Sequence, residues 1–160
     1  MMIHKWTKVL IFFLVVMLLS IEGCGNNGPR DEKEQYIVDH IEDFTAVKDY
    51  MTEQYSDELP VTVALYDIEI EDVPDYLSGS MKVVSEDDPN IESYGVGRRY
   101  YYMYLTEEYV VFWSDETLHD GLLYSENIRS AVKAARKKYY DELQYHQLND
   151  NWAWVGYNGL

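Results

Sequence analysis

Cysteine is almost missing from this chain of 160 residues: there is one, at position 24. A single thiol excludes an internal disulfide and every zinc site built from several thiolates. Basic residues are also scarce, 13 Lys and Arg against 29 Asp and Glu, for a formal charge of −16. Such a surface repels the phosphate backbone, so nucleic acid is excluded as a direct partner. With 9 Gly and 4 Pro, the composition is neither collagen-like nor that of a low-complexity linker. No internal repeat is visible. What the chain has in quantity is aromatic residues, 15% including 16 Tyr, which argues for a packed core. The length suits one ordinary domain.

The one long apolar run lies at the start. Lys5 and Lys8 precede thirteen residues, Val9 to Ile21, all apolar except Ser20. A basic start followed by a run of this length has the form of an export signal. A spanning helix needs about 20 apolar residues, and Glu22 ends the run before that length is reached.

The run closes on "IEGC", with aliphatic Ile21, small Gly23 and then Cys24. This resembles the lipobox of bacterial lipoproteins. The resemblance covers about the first 27 residues, and it implies that the Cys24 thiol carries diacylglycerol and becomes the new N-terminus after cleavage. Glu22 departs from the pattern, since a carboxylate beside the bilayer is costly. The implied organisation is a signal peptide over 1–23, the lipidated cysteine with a flexible spacer over 24–30, and a single α+β domain over 31–160. Two acyl chains hold a protein durably at a membrane, where one does so marginally. The implied location is the extracytoplasmic face of a bacterial membrane, and the alternative is an uncleaved anchor with an incidental thiol.

Processing would change the charge further. The 13 basic residues less Lys5 and Lys8, and the 29 acidic ones less Glu22, leave 11 and 28, a formal charge of −17. Net charge of this sign disfavours anionic lipid head groups as well as nucleic acid, and permits a cationic protein, a peptide or a metal ion.

From Asp31 to Tyr55 the apolar positions Ile37, Ile41, Phe44, Val47, Met51 and Tyr55 recur every three or four residues, which predicts one long helix. Asp31 and Glu34 suit its N-terminus and Pro60 its end. Val61 to Ile70 reads as a strand, "EDVPDYLSGS" as a turn and Met81 to Val84 as a short second strand. Tyr100 to Leu105 has apolar groups on both faces, so it reads as a central strand, with Tyr109 to Trp113 as its hairpin partner. Ile128, Val132, Ala135, Tyr139 and Leu143 predict a second helix, capped by Ser125 and continuing to His146. Lys133, Arg136, Lys137 and Lys138 gather on its outer surface. "NWAWVGYNGL" reads as a last short strand or an aromatic tail. The expected fold is α+β: about four antiparallel strands, with an N-terminal and a C-terminal helix packed on one face.

No catalytic residue, cofactor site or metal site is assigned. His40, His119 and His146 fall in three separate elements. Asp115, Glu116, His119 and Asp120 share one loop but lack the paired spacing of zinc ligands, so a turn at Asp120 and Gly121 is preferred. Glu86, Asp87, Asp88, Asn90 and Glu92 offer oxygen donors for calcium without the spacing of an EF-hand. Ser78 and Ser80 around Gly79 lack a nucleophile elbow, and "GVG" before Arg98 lacks the rest of a dinucleotide site. Trp113, Trp152 and Trp154 form either a ligand platform or part of the core, and burial is preferred. Two function classes follow: a non-catalytic, lipid-anchored binding or accessory module at the cell envelope, or an envelope hydrolase. A narrower form of the first is an acidic inhibitor of a cationic envelope-attacking enzyme. The expected partners are the membrane, through lipidated Cys24, and an envelope protein or peptide.

Overall fold

Apolar residues on both faces of the central strands demand two covering layers, and the computed structural model has them. It describes residues 29–30, 32–85, 100–114, 118, 120–139 and 141–156. In chain order these form α1 (Glu32–Asp39), α2 (Ile41–Gln54), β1 (Val61–Ala64), α3 (Asp75–Ser85), β2 (Tyr102–Leu105), β3 (Val110–Trp113), β4 (Asp120–Tyr124), α4 (Ile128–Lys138), β5 (Gln144–Gln147) and β6 (Trp152–Gly156). The strands make one six-stranded sheet in the order β1-β2-β3-β4-β6-β5, with every neighbouring pair antiparallel.

Successive residues of a strand point to opposite faces, and each face has its own core. Met103, Leu105, Val110, Phe112, Leu122, Trp152 and Trp154 point to the face covered by Ile37, Phe44, Val47 and Met51 of α1 and α2 and by Leu77, Met81 and Val84 of α3. Tyr104, Val111, Trp113, Leu123, Ala153 and Val155 point to the other, covered by Ile128, Ala131, Val132 and Ala135 of α4. The mixed class is as expected. The strand count rises from four to six, and the two terminal helices lie on opposite faces instead of one. The reason is in β3 and β6, which are buried along their whole length and need cover on both sides.

Phe44 anchors the larger core. It is fully buried and meets Tyr100, Phe112 and Trp152 edge-on, at ring separations of 5.3, 5.6 and 6.3 Å. Such pairs each add about 0.5–1.5 kcal/mol beyond the area they bury.

Several elements depart from the sequence reading. The long first helix is two helices with a break at His40, whose ψ of 19° leaves the helical range, though the apolar stripe runs on through both. The Val61–Ile70 strand stops at Ala64. Leu65 N still bonds Tyr101 O, and then two short 3-10 turns, Leu65–Asp67 and Ile70–Asp72, carry Tyr66, Asp67 and Glu69 into solvent. The expected turn and Met81–Val84 strand are instead helix α3, because Leu77, Met81 and Val84 recur at helical spacing. Asp120 and Gly121 open β4 and do not form a bend. The last helix ends at Lys138, followed by β5, and its N-cap is Asn127, whose side chain accepts the Ser130 N–H. The strand alternative for the C-terminal segment is the one observed, over Trp152–Gly156.

Candidate functional site

The hairpin between β2 and β3 needs its turn satisfied, and the residues that do so shape a cleft. Thr106 Oγ1 donates to Tyr109 O at 2.7 Å and accepts the Tyr109 N–H at 2.9 Å. Ser125, just past β4, donates to Glu108 O at 2.9 Å and accepts the Asn127 N–H at 3.0 Å. These bonds hold the hairpin turn against the start of α4. The space left between that junction and Lys48 and Thr52 of α2 is a cleft of about 430 Å³. This is within the size range of small-ligand sites, about 300–1,000 Å³.

Charge is distributed unevenly around it. Glu107, Glu108 and Glu126 are exposed at the rim, while Lys48 lies over the Tyr124 ring at 4.3 Å and is ion-paired with Asp49. Tyr124 is in turn edge-on to Trp152 at 5.1 Å, so the cleft wall continues into the core. Tyr109 forms part of the lining. Burial, then Tyr104, then the Glu108 charge push its phenol up to about 12. It is therefore a neutral hydroxyl at any physiological pH. The Tyr139 phenol, also on the α4 side of the sheet, is raised too, chiefly by burial.

No histidine lines the cleft, and its Thr106 and Ser125 hydroxyls donate to backbone carbonyls. A serine whose proton is committed to a carbonyl, with no base beside it, is not an activated nucleophile.

The residues singled out in the sequence are dispersed. Cys24, the acidic segment 86–92, Arg98, Asp115, Glu116 and His119 lie outside the described residues. Ser78 and Ser80 sit on α3, and Ser78 Oγ donates to Asp75 O within its own helix. Ser80 Oγ donates to Asp43 Oδ1 at 2.8 Å, and His40 Nδ1 meets the other oxygen of the same carboxylate at 3.1 Å. The order is Ser–Asp–His, with the carboxylate in the middle, so the imidazole is not placed to take the serine proton. The group ties α2 to α3.

His146 of β5 is buried beside the buried Glu34 of α1, Nε2 to Oε2 3.5 Å, and joins the first helix to the sheet edge. Trp152 and Trp154 do share one face, but it is the face under α1–α3, and Trp113 lies on the opposite one. All three are at most 5% exposed, so they form core and not a platform. Among the described residues, no three His, Cys, Asp or Glu side chains are grouped to hold a metal ion. No helix among them is long and apolar enough to cross a membrane.

Lys48, Tyr124 and the Glu107–Glu108 pair escaped the sequence reading. They come from α2, the end of β4 and the hairpin turn, brought together only by tertiary packing. The one local signal was Asn127 followed by Ser130, a helix start beside the cleft.

No family model matches the chain, and no curated protein or solved structure matches it either.

Proposed function

We propose that this chain is a bacterial lipoprotein, anchored by a diacylated Cys24 to the extracytoplasmic face of a membrane, whose domain is a non-catalytic binding module at the cell envelope. The observation that carries the anchor is "IEGC" at the end of the apolar run that follows Lys5 and Lys8, with the chain's only thiol at its last position. The sequence holds no second cysteine with which that thiol could pair.

The binding role is supported by the cleft at the hairpin. Its Thr106 and Ser125 hydroxyls brace the hairpin, its Tyr109 phenol is neutral, and its exposed charges are the carboxylates of Glu107, Glu108 and Glu126. A rim of this kind favours a cationic or amine-bearing partner, and the formal charge of −17 after processing steers such a partner in from a distance.

Two experiments test the halves separately. Cys24→Ser should move the protein from the membrane to the soluble fraction, and an unchanged distribution overturns the anchor. Crosslinking the tagged protein in the native envelope should capture one reproducible partner, with yield falling as salt rises. Glu107→Gln with Glu108→Gln should lower that yield while the fold is kept. Capture that is indifferent to these substitutions overturns the cleft as the binding surface.

A further inference from the structure

Helix α4 does not share the charge of the rest of the molecule. Its sequence, IRSAVKAARKK, contains five cations and no carboxylate. After removal of the signal segment, these are five of the 11 basic residues left in the chain. Ile128, Ala131, Val132 and Ala135 form its buried stripe, and Arg129, Lys133, Arg136, Lys137 and Lys138 are all exposed.

Two of the five have work within the fold. Lys138 sits over the Tyr104 ring at 4.0 Å, and Arg136 Nε donates to Leu143 O at 2.6 Å. Arg129, Lys133 and Lys137 remain. They are spaced four residues apart, so they form one row along the outer surface, about 12 Å from first to last. No ion pair reaches them among the described residues. Like charges four apart destabilise a helix, and here no carboxylate within the helix relieves them. Glu126 before the helix and Asp141 and Glu142 after it bound the row at its two ends.

Net charge predicts repulsion from anionic head groups, but what acts at contact is the facing surface. Screening confines charge interactions to about 8 Å at physiological ionic strength. The helices α1, α2 and α3 lie across the sheet from α4, on the far side of the core. Seven residues lie between Cys24 and Glu32, so the eight chain steps reach at most about 28 Å. A domain on so short a leash is held beside the membrane whichever way it turns, so a single cationic face is enough to choose its orientation.

We propose that the outer face of α4 rests on the anionic head groups of the membrane that holds Cys24; this builds on the lipid-anchor reading. It turns the Arg129–Lys133–Lys137 row to the bilayer and leaves α3 on the side away from it. Lys and Arg side chains held at an anionic bilayer surface are attracted to it, within about a Debye length.

The test uses the acylated full chain in vesicles of phosphatidylcholine, with or without phosphatidylglycerol, and an amine-acylating reagent read lysine by lysine by mass spectrometry. Labelling of Lys133 and Lys137 should slow by about threefold or more on the anionic vesicles and recover in high salt. Lys82, exposed on α3, should label equally on both and serves as the internal control. Arg129→Glu with Lys133→Glu should leave the protein afloat with the vesicles and abolish the protection of Lys137. Equal labelling of Lys133 and Lys137 on both vesicles overturns the orientation and leaves the anchor standing. Equal labelling that becomes protected only when a soluble polyanion is added also overturns it, and assigns the row to that class of partner. A chain that floats with neither vesicle overturns the anchor, and the orientation with it.

Discussion

The same substitution, glycine to alanine, should have opposite signs at two positions. Gly121 lies in β4 directly opposite Trp113 of β3. A Cβ at Gly121 would stand 2.7 Å from the Phe112 carbonyl oxygen and 2.8 Å from Trp113 Cε3. The first of these contacts is backbone in a central strand, and the second is an indole that is 1% exposed, so neither can yield cheaply. Overpacking of this kind costs about 1–3 kcal/mol, offset by about 0.4–1 kcal/mol from the lower entropy of the unfolded chain. Gly79 is exposed within α3, and a Cβ there would meet nothing within 4 Å. Helix propensity then acts alone and favours alanine by about 0.8–1 kcal/mol. Urea unfolding followed by tryptophan fluorescence is the assay. With slopes of about 1–3 kcal/mol per molar, the midpoints should move apart by roughly 1 M, Gly121→Ala falling and Gly79→Ala rising. A Gly121→Ala protein as stable as the parent would refute the close approach of β4 to the Trp113 ring. A destabilised Gly79→Ala would refute the helical assignment of a segment that reads as a turn.

Two further outcomes follow from buried groups. Because burial lifts the Tyr109 phenol from 10.0 to about 12, its contribution to stability is fully present below pH 10 and is lost as pH rises through 12. That loss amounts to about 2 kcal/mol by pH 12, and Tyr109→Phe should flatten the decline measured by urea midpoints between pH 9 and 11. An identical decline in the variant would mean that Tyr109 ionises freely. His146→Ala should cost about 1–3 kcal/mol, because Glu34 loses a buried partner. Amide exchange should then quicken in α1 before it does in β6, and uniform quickening would refute the link between helix and sheet edge.

How far the sequence was legible depended on whether local pattern and tertiary demand agreed. The stripe from Ile37 to Met51, the Tyr102–Trp113 hairpin and the Ile128–Ala135 stripe were readable because each buries one set of positions at one period. Segment 75–85 was misread: Gly79 and its flanking serines carry turn chemistry, and the Leu77, Met81 and Val84 contacts that make it helical lie on other elements. Gly121 misled in the opposite way. Its missing side chain accommodates an indole and does not turn the chain, a requirement visible only once β3 and β4 are paired. Of the cleft only the helix start at Asn127 left a local signal, since its walls are contributed by α2, the hairpin turn and the β4–α4 junction, segments far apart in the chain.

Lipid anchoring at Cys24 is tested most directly by the intact mass of the protein extracted from membranes, with fragmentation of its N-terminus. Lipid anchoring predicts a chain that begins at Cys24, lacks residues 1–23 and carries a diacylglyceryl group on the thiol. A membrane-bound chain that retains Met1 and a free Cys24 thiol would contradict it.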